Sequence, residues 1–130
     1  MSRGLLDTSV FIAREGRRLD PELLPDELAV SVITYAELRA GVLAATDITV
    51  RSRRLTTLQI VTAMNPLPID SAVADQWAQL RLLLAESRRR VNVNDTWIAA
   101  TALAHGVPVV SQDADFAVLA EISDLHVIPV

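Results

Sequence analysis

A chain of 130 residues, 51% hydrophobic and with only 4 Gly and 6 Pro, has the material for one folded domain spanning 1–130 and none of the bias of disordered or fibrous sequences. Cysteine is absent, which excludes disulfides and thiolate metal sites, and the apolar run near the start is short and interrupted by Asp7, too brief for a signal peptide or membrane span. The default expectation is a soluble cytoplasmic protein; its net charge of -4, with all 12 basic residues arginine, offers no general attraction for a polyanion.

In chain order, Gly4 to Leu6 reads as a short strand ending at Asp7, after which Ser9 can cap a helical turn through Ala13. Pro21 and Pro25 punctuate a loop, and Leu28 to Val32 reads as a second strand. Thr34 is the expected N-cap of a helix over Tyr35 to Ala45, with Glu37 completing a capping box. A further helix is expected from Val50 to Ala63, with Arg51, Arg53 and Arg54 near its start. Pro66 and Pro68 confine the segment ending at Ile69 to a weak edge strand.

Asp70 or Ser71 can cap the next helix, whose Val73, Trp77, Leu80 and Leu84 form one apolar stripe facing the core. Beyond Arg88-Arg89-Arg90, Asn92 or Asn94 can start a helix that ends at Gly106. Val107 to Val110 is a strand running into Ser111-Gln112-Asp113, and His126 to Val130 is the last strand. This alternation predicts a three-layer α/β/α sandwich with a mostly parallel central sheet. Ligand sites in such sheets lie at the carboxyl ends of the strands, so Asp7 and Asp113, each following a strand, fall on the same edge.

Each acid has a bland reading beside this one. Asp7 can belong to a helix-capping turn, Asp95 can simply complement a helix N-terminus, and Asp113 with Asp115 can form an Asp-rich turn capping a short helix. Glu37 lies among Tyr35, Ala36, Leu38 and Ala40, which suggests a mostly buried helix in which a carboxylate needs a partner.

The segments Leu6-Asp7-Thr8-Ser9, Ser31-Val32-Ile33-Thr34 with Ala36-Glu37-Leu38 and Gly41, Asn94-Asp95 with Ile98 to Ala102, and Val109 to Asp113 with Asp115-Phe116 run nearly the length of the chain. In order and spacing this resembles the PIN-domain ribonucleases, and within them the VapC toxins of bacterial toxin–antitoxin pairs. The resemblance implies a metal-dependent endoribonuclease whose acidic positions fall on Asp7, Glu37, Asp95 and Asp113, with Asp115 a fifth. Ser111 stands where the family often has threonine, and its hydroxyl, like that of Ser9, can orient a carboxylate. The resemblance also implies a homodimer, a VapB-like antitoxin partner, an RNA substrate, and DNA contact only through the antitoxin.

Clustered carboxylates are stable as anions only around a cation, and hard oxygen ligands select Mg²⁺, with Mn²⁺ a substitute. Asp7 and Asp95 are the expected direct ligands, with Glu37, Asp113 and Asp115 completing the site. Metal-free cleavage would need an acid and a base, commonly His, yet His105 and His126 fall at the opposite end of the sheet, so water attack is expected. Arg88, Arg89 and Arg90 are candidate phosphate contacts, against the plainer reading of a solvated loop. Phe11, Ile12 and Val42-Leu43 are candidate protein contacts.

Three other readings compete. A phosphoacceptor receiver domain gathers aspartates similarly but relies on a lysine, which this chain lacks; a metal-dependent adhesion motif, Asp-x-Ser-x-Ser, fails because position 11 is Phe. The third is a protein that acts chiefly within a DNA-bound repressor complex, with little nuclease activity.

Overall fold

The computed structural model describes residues 2–16 and 21–130. Four short strands, β1 (Arg3–Leu6), β2 (Glu27–Val30), β3 (Val109–Ser111) and β4 (Val127–Pro129), form a sheet in the order β2-β1-β3-β4. Every pairing in it is parallel. The helices are α1 (Thr8–Gly16), α2 (Val32–Ala44), α3 (Ile48–Ala63), α4 (Ser71–Ser87), α5 (Val93–His105) and α6 (Asp115–Ile122).

Strand alternation divides the core into two layers. Leu5 and Val109 point into one cluster with Val73, Leu80, Ile98 and Phe116 from α4, α5 and α6, whereas their neighbours Leu6 and Val110 point into a second with Val10, Phe11, Leu38, Val42, Leu58 and Val61 from α1, α2 and α3. Helices therefore cover both faces, as the α/β/α expectation required. Trp77 of the predicted stripe is only partly buried and stacks on Trp97 of α5, with ring centroids 4.6 Å apart.

Two close approaches fix the sheet. Gly4 lies where an added Cβ would come within 2.8 Å of Val110 Cγ2 and 2.9 Å of Pro25 Cγ, so only glycine lets β1, β3 and the Pro25 segment meet. Beyond the paired strands, the Asp7 N–H donates to Val110 O at 3.1 Å, which pins Asp7 to the end of β3. Chain direction reverses its lateral progress between β1 and β3, and a crevice opens beyond the carboxyl ends of strands at such a switch point.

Several boundaries differ from the sequence expectation for identifiable reasons. Helix α2 starts at Val32, not Tyr35, because Ser31 Oγ accepts the Thr34 N–H at 3.2 Å; Ser31 is the N-cap, and Glu37 belongs to no capping box at Thr34. Helix α3 starts at Ile48 because Asp47 caps it through the Val50 N–H at 3.0 Å. The Pro66–Pro68 segment is reduced to a single parallel bridge, in which Leu67 donates to Val30 O at 2.8 Å and accepts from Val32 N at 2.9 Å. A flanking proline on each side leaves only Leu67 able to donate. Phe11 and Val42 are core residues and not surface contacts, while Ile12 and Leu43 are exposed. No helix among the described residues is long and apolar enough to cross a membrane.

Candidate active site

Asp7 follows β1 and is 2% exposed, a burial that demands hydrogen-bond partners for its carboxylate. Ser9, in the first turn of α1, donates to Asp7 Oδ1 at 2.7 Å and accepts the Gln112 N–H at 3.1 Å, tying α1 to the loop after β3. Ser111 ends β3, with its Oγ 3.5 Å from Ser9 Oγ, and accepts the Asp113 N–H at 2.8 Å. Burial pushes the Asp7 carboxyl above its ordinary 3.8, hydrogen bonds from Ser9 and Ser111 pull it back, and the charge of Asp113 pushes it further up.

Glu37 approaches from α2. The Thr8 hydroxyl lies 2.7 Å from Glu37 Oε1 and 3.1 Å from Thr34 Oγ1. Having one proton to give, Thr8 donates to the carboxylate, and the buried Thr34 hydroxyl completes the chain behind it. The sequence signal for Thr8 was its place in Asp7-Thr8-Ser9, but a helix-capping role accounts equally well for a hydroxyl there.

Asp95 sits in the first turn of α5. Asn92 sets that helix start by accepting the Asn94 N–H on its side chain at 2.8 Å and the Thr96 N–H on its carbonyl at 3.0 Å. The run Ile98 to Ala102 is wholly buried, and its small residues let α5 lie close against the sheet. Asp95 is thereby brought beside Asp113 and Asp115, and one carboxylate oxygen from each lies within 4.8 Å of the others. Asp113 is exposed and accepts the Asp115 N–H at 2.9 Å, so the Asp-rich turn is real as well as adjacent to the site.

Asp7 and Glu37 lie outside that tight trio but act on it. Burial is the first cause that pushes Asp95 up to about 7, followed by the charges of Asp113, Asp7, Asp115 and Glu37. All five acids therefore converge on one electrostatic centre around Asp95. The donors are all hard oxygens with spacing suited to an oxygen-coordinated divalent cation. Neither histidine is part of the centre. His105 ends the helix that Asp95 begins, and His126 precedes β4 at the amino end of the sheet.

The three tandem arginines separate. Arg88 terminates α4 in a left-handed conformation, φ 55 and ψ 38, and Arg89 pairs with Glu121 of α6. Arg89 and Arg90 line a cavity with Arg81, Leu84, Ala85 and Val91, none of which belongs to the carboxylate cluster.

Comparison with known proteins places these features. A family model described as the PIN domain matches residues 4–122. The chain is 53% identical over 98% of its length, and 95% of the other's, to Ribonuclease VapC5 of Mycobacterium tuberculosis. It is 46% identical to Ribonuclease VapC4 of the same organism, covering 92% of this chain and 93% of that one. Among solved structures, a member of the VapBC family of toxin–antitoxin systems, VapBC-5 from Mycobacterium tuberculosis, superposes with a TM-score of 0.92 at 50% identity over 100% of both chains.

Proposed function

From the premise that the chain belongs to the PIN-domain family, among the VapC ribonucleases, we propose that residues 1–130 act as one metal-dependent endoribonuclease domain, the toxin of a toxin–antitoxin pair. The observation that carries this reading is the convergence of Asp7, Glu37, Asp95, Asp113 and Asp115 at the carboxyl edge of the sheet, where all four other acids raise the pKa of Asp95.

Asp95, Asp113 and Asp115 are the residues that would hold Mg²⁺ or Mn²⁺, with Asp7 and Glu37 completing the site directly or through water. A divalent ion bound there supplies Lewis-acid activation of water and neutralises charge on the phosphodiester. Ser9 and Ser111 hold the Asp7 carboxylate, and Thr8 holds that of Glu37, so the acids are oriented before substrate arrives. With no histidine at this edge, the reaction is hydrolysis by water, and its products carry no 2′,3′-cyclic phosphate.

The RNA is a structured one such as tRNA, and its cleavage would arrest translation and growth. Arg88, Arg89 and Arg90 remain candidates for distal phosphate contacts. The partner is a VapB-like antitoxin, for which the exposed Ile12 and Leu43 offer apolar contacts, and the toxin works in the cytoplasm as a homodimer. A net charge of -4 argues that any DNA contact runs through the antitoxin.

The test is cleavage of RNA by the purified, antitoxin-free chain. Activity should require Mg²⁺ or Mn²⁺, and Asp7→Ala or Asp95→Ala should abolish it in a protein that still folds. Cleavage that persists in EDTA would overturn the reading, and mapping of cut sites on total cellular RNA would identify the substrate.

A further inference from the structure

Beside the carboxylate centre, a cavity of about 290 Å³ opens between α1, α2 and α3, lined by Thr8, Ile12, Glu37, Leu38, Gly41 and Arg54. It shares Thr8 and Glu37 with the candidate active site but contains a cation and apolar walls that the acidic cluster lacks. Anything occupying it would touch Glu37 on one side and Arg54 on the other.

Arg54 is half-buried and held in place. Its Nη1–H donates to Gly41 O at 2.8 Å, a carbonyl in the last turn of α2 whose usual partner, the Ala45 N–H, bonds Val42 O instead. A guanidinium has five N–H donors, so most of the fork remains available after this one bond. Among the described residues the side-chain ion pairs are Arg3–Glu27 and Arg89–Glu121; Arg54 and Glu37 line the same cavity without forming one. Among the described residues Arg54 is thus a fixed cation with no carboxylate partner, facing a cavity at the edge of a nuclease centre.

Gly41 points to the same conclusion independently. It lies inside α2, where glycine is the least favourable residue after proline, yet its φ is not positive. The only atom near an added Cβ would be Arg54 Cδ at 3.9 Å, an ordinary contact. Neither backbone conformation nor close packing calls for glycine here. Its effect is to keep the cavity floor open beneath Arg54.

We propose that Arg54 is a substrate-binding residue that holds an RNA phosphate flanking the scissile one, with the attached nucleotide seated over Gly41 between Ile12 and Leu38. The proposal rests on the ribonuclease reading above. A planar, permanently charged fork suits a phosphate better than a point charge does, and the apolar walls strengthen its field. The acidic chain thereby gains a local cationic contact that its net charge does not provide.

The experiment measures binding of a fluorescently labelled RNA oligonucleotide, one that the wild type cleaves in Mg²⁺, to the full chain in Ca²⁺ across a range of salt. Arg54→Gln should weaken binding roughly ten- to hundredfold and reduce the magnitude of the log–log salt slope by about 0.7, the value for one phosphate contact on a single strand. Arg54→Lys should recover the slope and part of the affinity. Gly41→Leu should fill the cavity and weaken RNA binding comparably, while melting at or above the wild-type temperature because leucine is the better helix former. Mn²⁺ affinity should be unchanged in all three variants.

An unchanged slope in Arg54→Gln would overturn the proposal. So would a loss in Arg54→Gln matched by an equal loss of Mn²⁺ affinity, or Gly41→Leu binding RNA normally. Weakened capture of an acidic antitoxin peptide with unaltered RNA binding would assign Arg54 to that partner instead. A wild type that cleaves no RNA defeats the ribonuclease reading itself and is distinguishable from all of these.

Discussion

Replacing Asp95 by asparagine should make the metal-free protein more stable while destroying its activity. The rise of the Asp95 pKa from 3.8 to about 7 means that ionising this group in the folded chain opposes folding. The full displacement corresponds to about 4 kcal/mol, and screening of a partly exposed group leaves about 2 kcal/mol at pH 8. Against this, the negative charge in the first turn of α5 interacts favourably with the helix dipole by about 0.5 kcal/mol, which Asp95→Asn gives up.

The sign follows from linkage. The folded state holds the proton more tightly than the unfolded chain, so the stability this group contributes is fully present below about pH 4 and is lost as pH rises through about 7. In EDTA at pH 8, Asp95→Asn should therefore melt about 4 to 7 °C above the wild type, for a net gain of about 1.5 kcal/mol in a domain of this size. At about pH 3.5 the difference should largely vanish, because the carboxyl is then mostly protonated in the folded and the unfolded chain alike. Adding Mg²⁺ should raise the wild-type melting temperature and leave the variant nearly unmoved. Thermal unfolding followed by circular dichroism at the two pH values, with salt fixed, decides the matter. A variant that melts below the wild type at pH 8 in EDTA would refute the claim that ionising Asp95, buried and beside four other acids, opposes folding.

Because a proton and a cation compete for Asp95, the Mg²⁺ concentration for half-maximal cleavage should fall about tenfold from pH 5.5 to 6.5 and level off above about 8, as read from titrations of initial rate. Ser9→Ala removes a donor to ionised Asp7 and the acceptor of the Gln112 N–H, so it should lower stability by about 1 to 3 kcal/mol and move the pH–rate profile to higher pH; an unmoved profile would exclude Ser9 as the support of Asp7. Gly4→Ala should destabilise the sheet by about 1 to 3 kcal/mol in denaturant titrations, since its Cβ would meet Val110 and Pro25 inside contact distance. Arg88→Gly should raise the melting temperature by about 3 to 5 °C, because Arg88 holds a left-handed conformation that costs a non-glycine residue about 1 kcal/mol.

Asp7 and Asp113 could be brought together from sequence because a parallel sheet converts the two strand ends into neighbours, whatever their separation along the chain. Glu37 was harder for a physical reason. Ser31-Val32-Ile33-Thr34 and Thr34-Tyr35-Ala36-Glu37 are overlapping candidate helix starts, and local propensity does not distinguish them. Contact of Ser31 with Leu67 through a single bridge anchors the earlier start, and this leaves Glu37 to Thr8 rather than to the helix terminus. That bridge is a tertiary fact with no local signature. Arg54 and Gly41 were individually visible, but the cavity between them exists only once α2 and α3 have packed. The left-handed Arg88 was invisible for the opposite reason, since glycine or asparagine is the expected signal for that conformation.

The site also explains why hydroxyls outnumber cations around its acids. Ser9 and Ser111 hold Asp7, Thr8 holds Glu37, Thr34 stands behind Thr8, and among the described residues no arginine forms an ion pair with any of the five acids. An arginine partner would orient a carboxylate equally well, but it would also lower its pKa and offset its charge. A neutral hydroxyl fixes direction and leaves the negative charge available to a cation. The price is the raised Asp95 pKa, a cost the fold carries as long as only protons occupy the centre. The same arrangement repels a polyanion, so metal should bind before RNA, and Arg54 stands across the cavity from Glu37 rather than within the cluster.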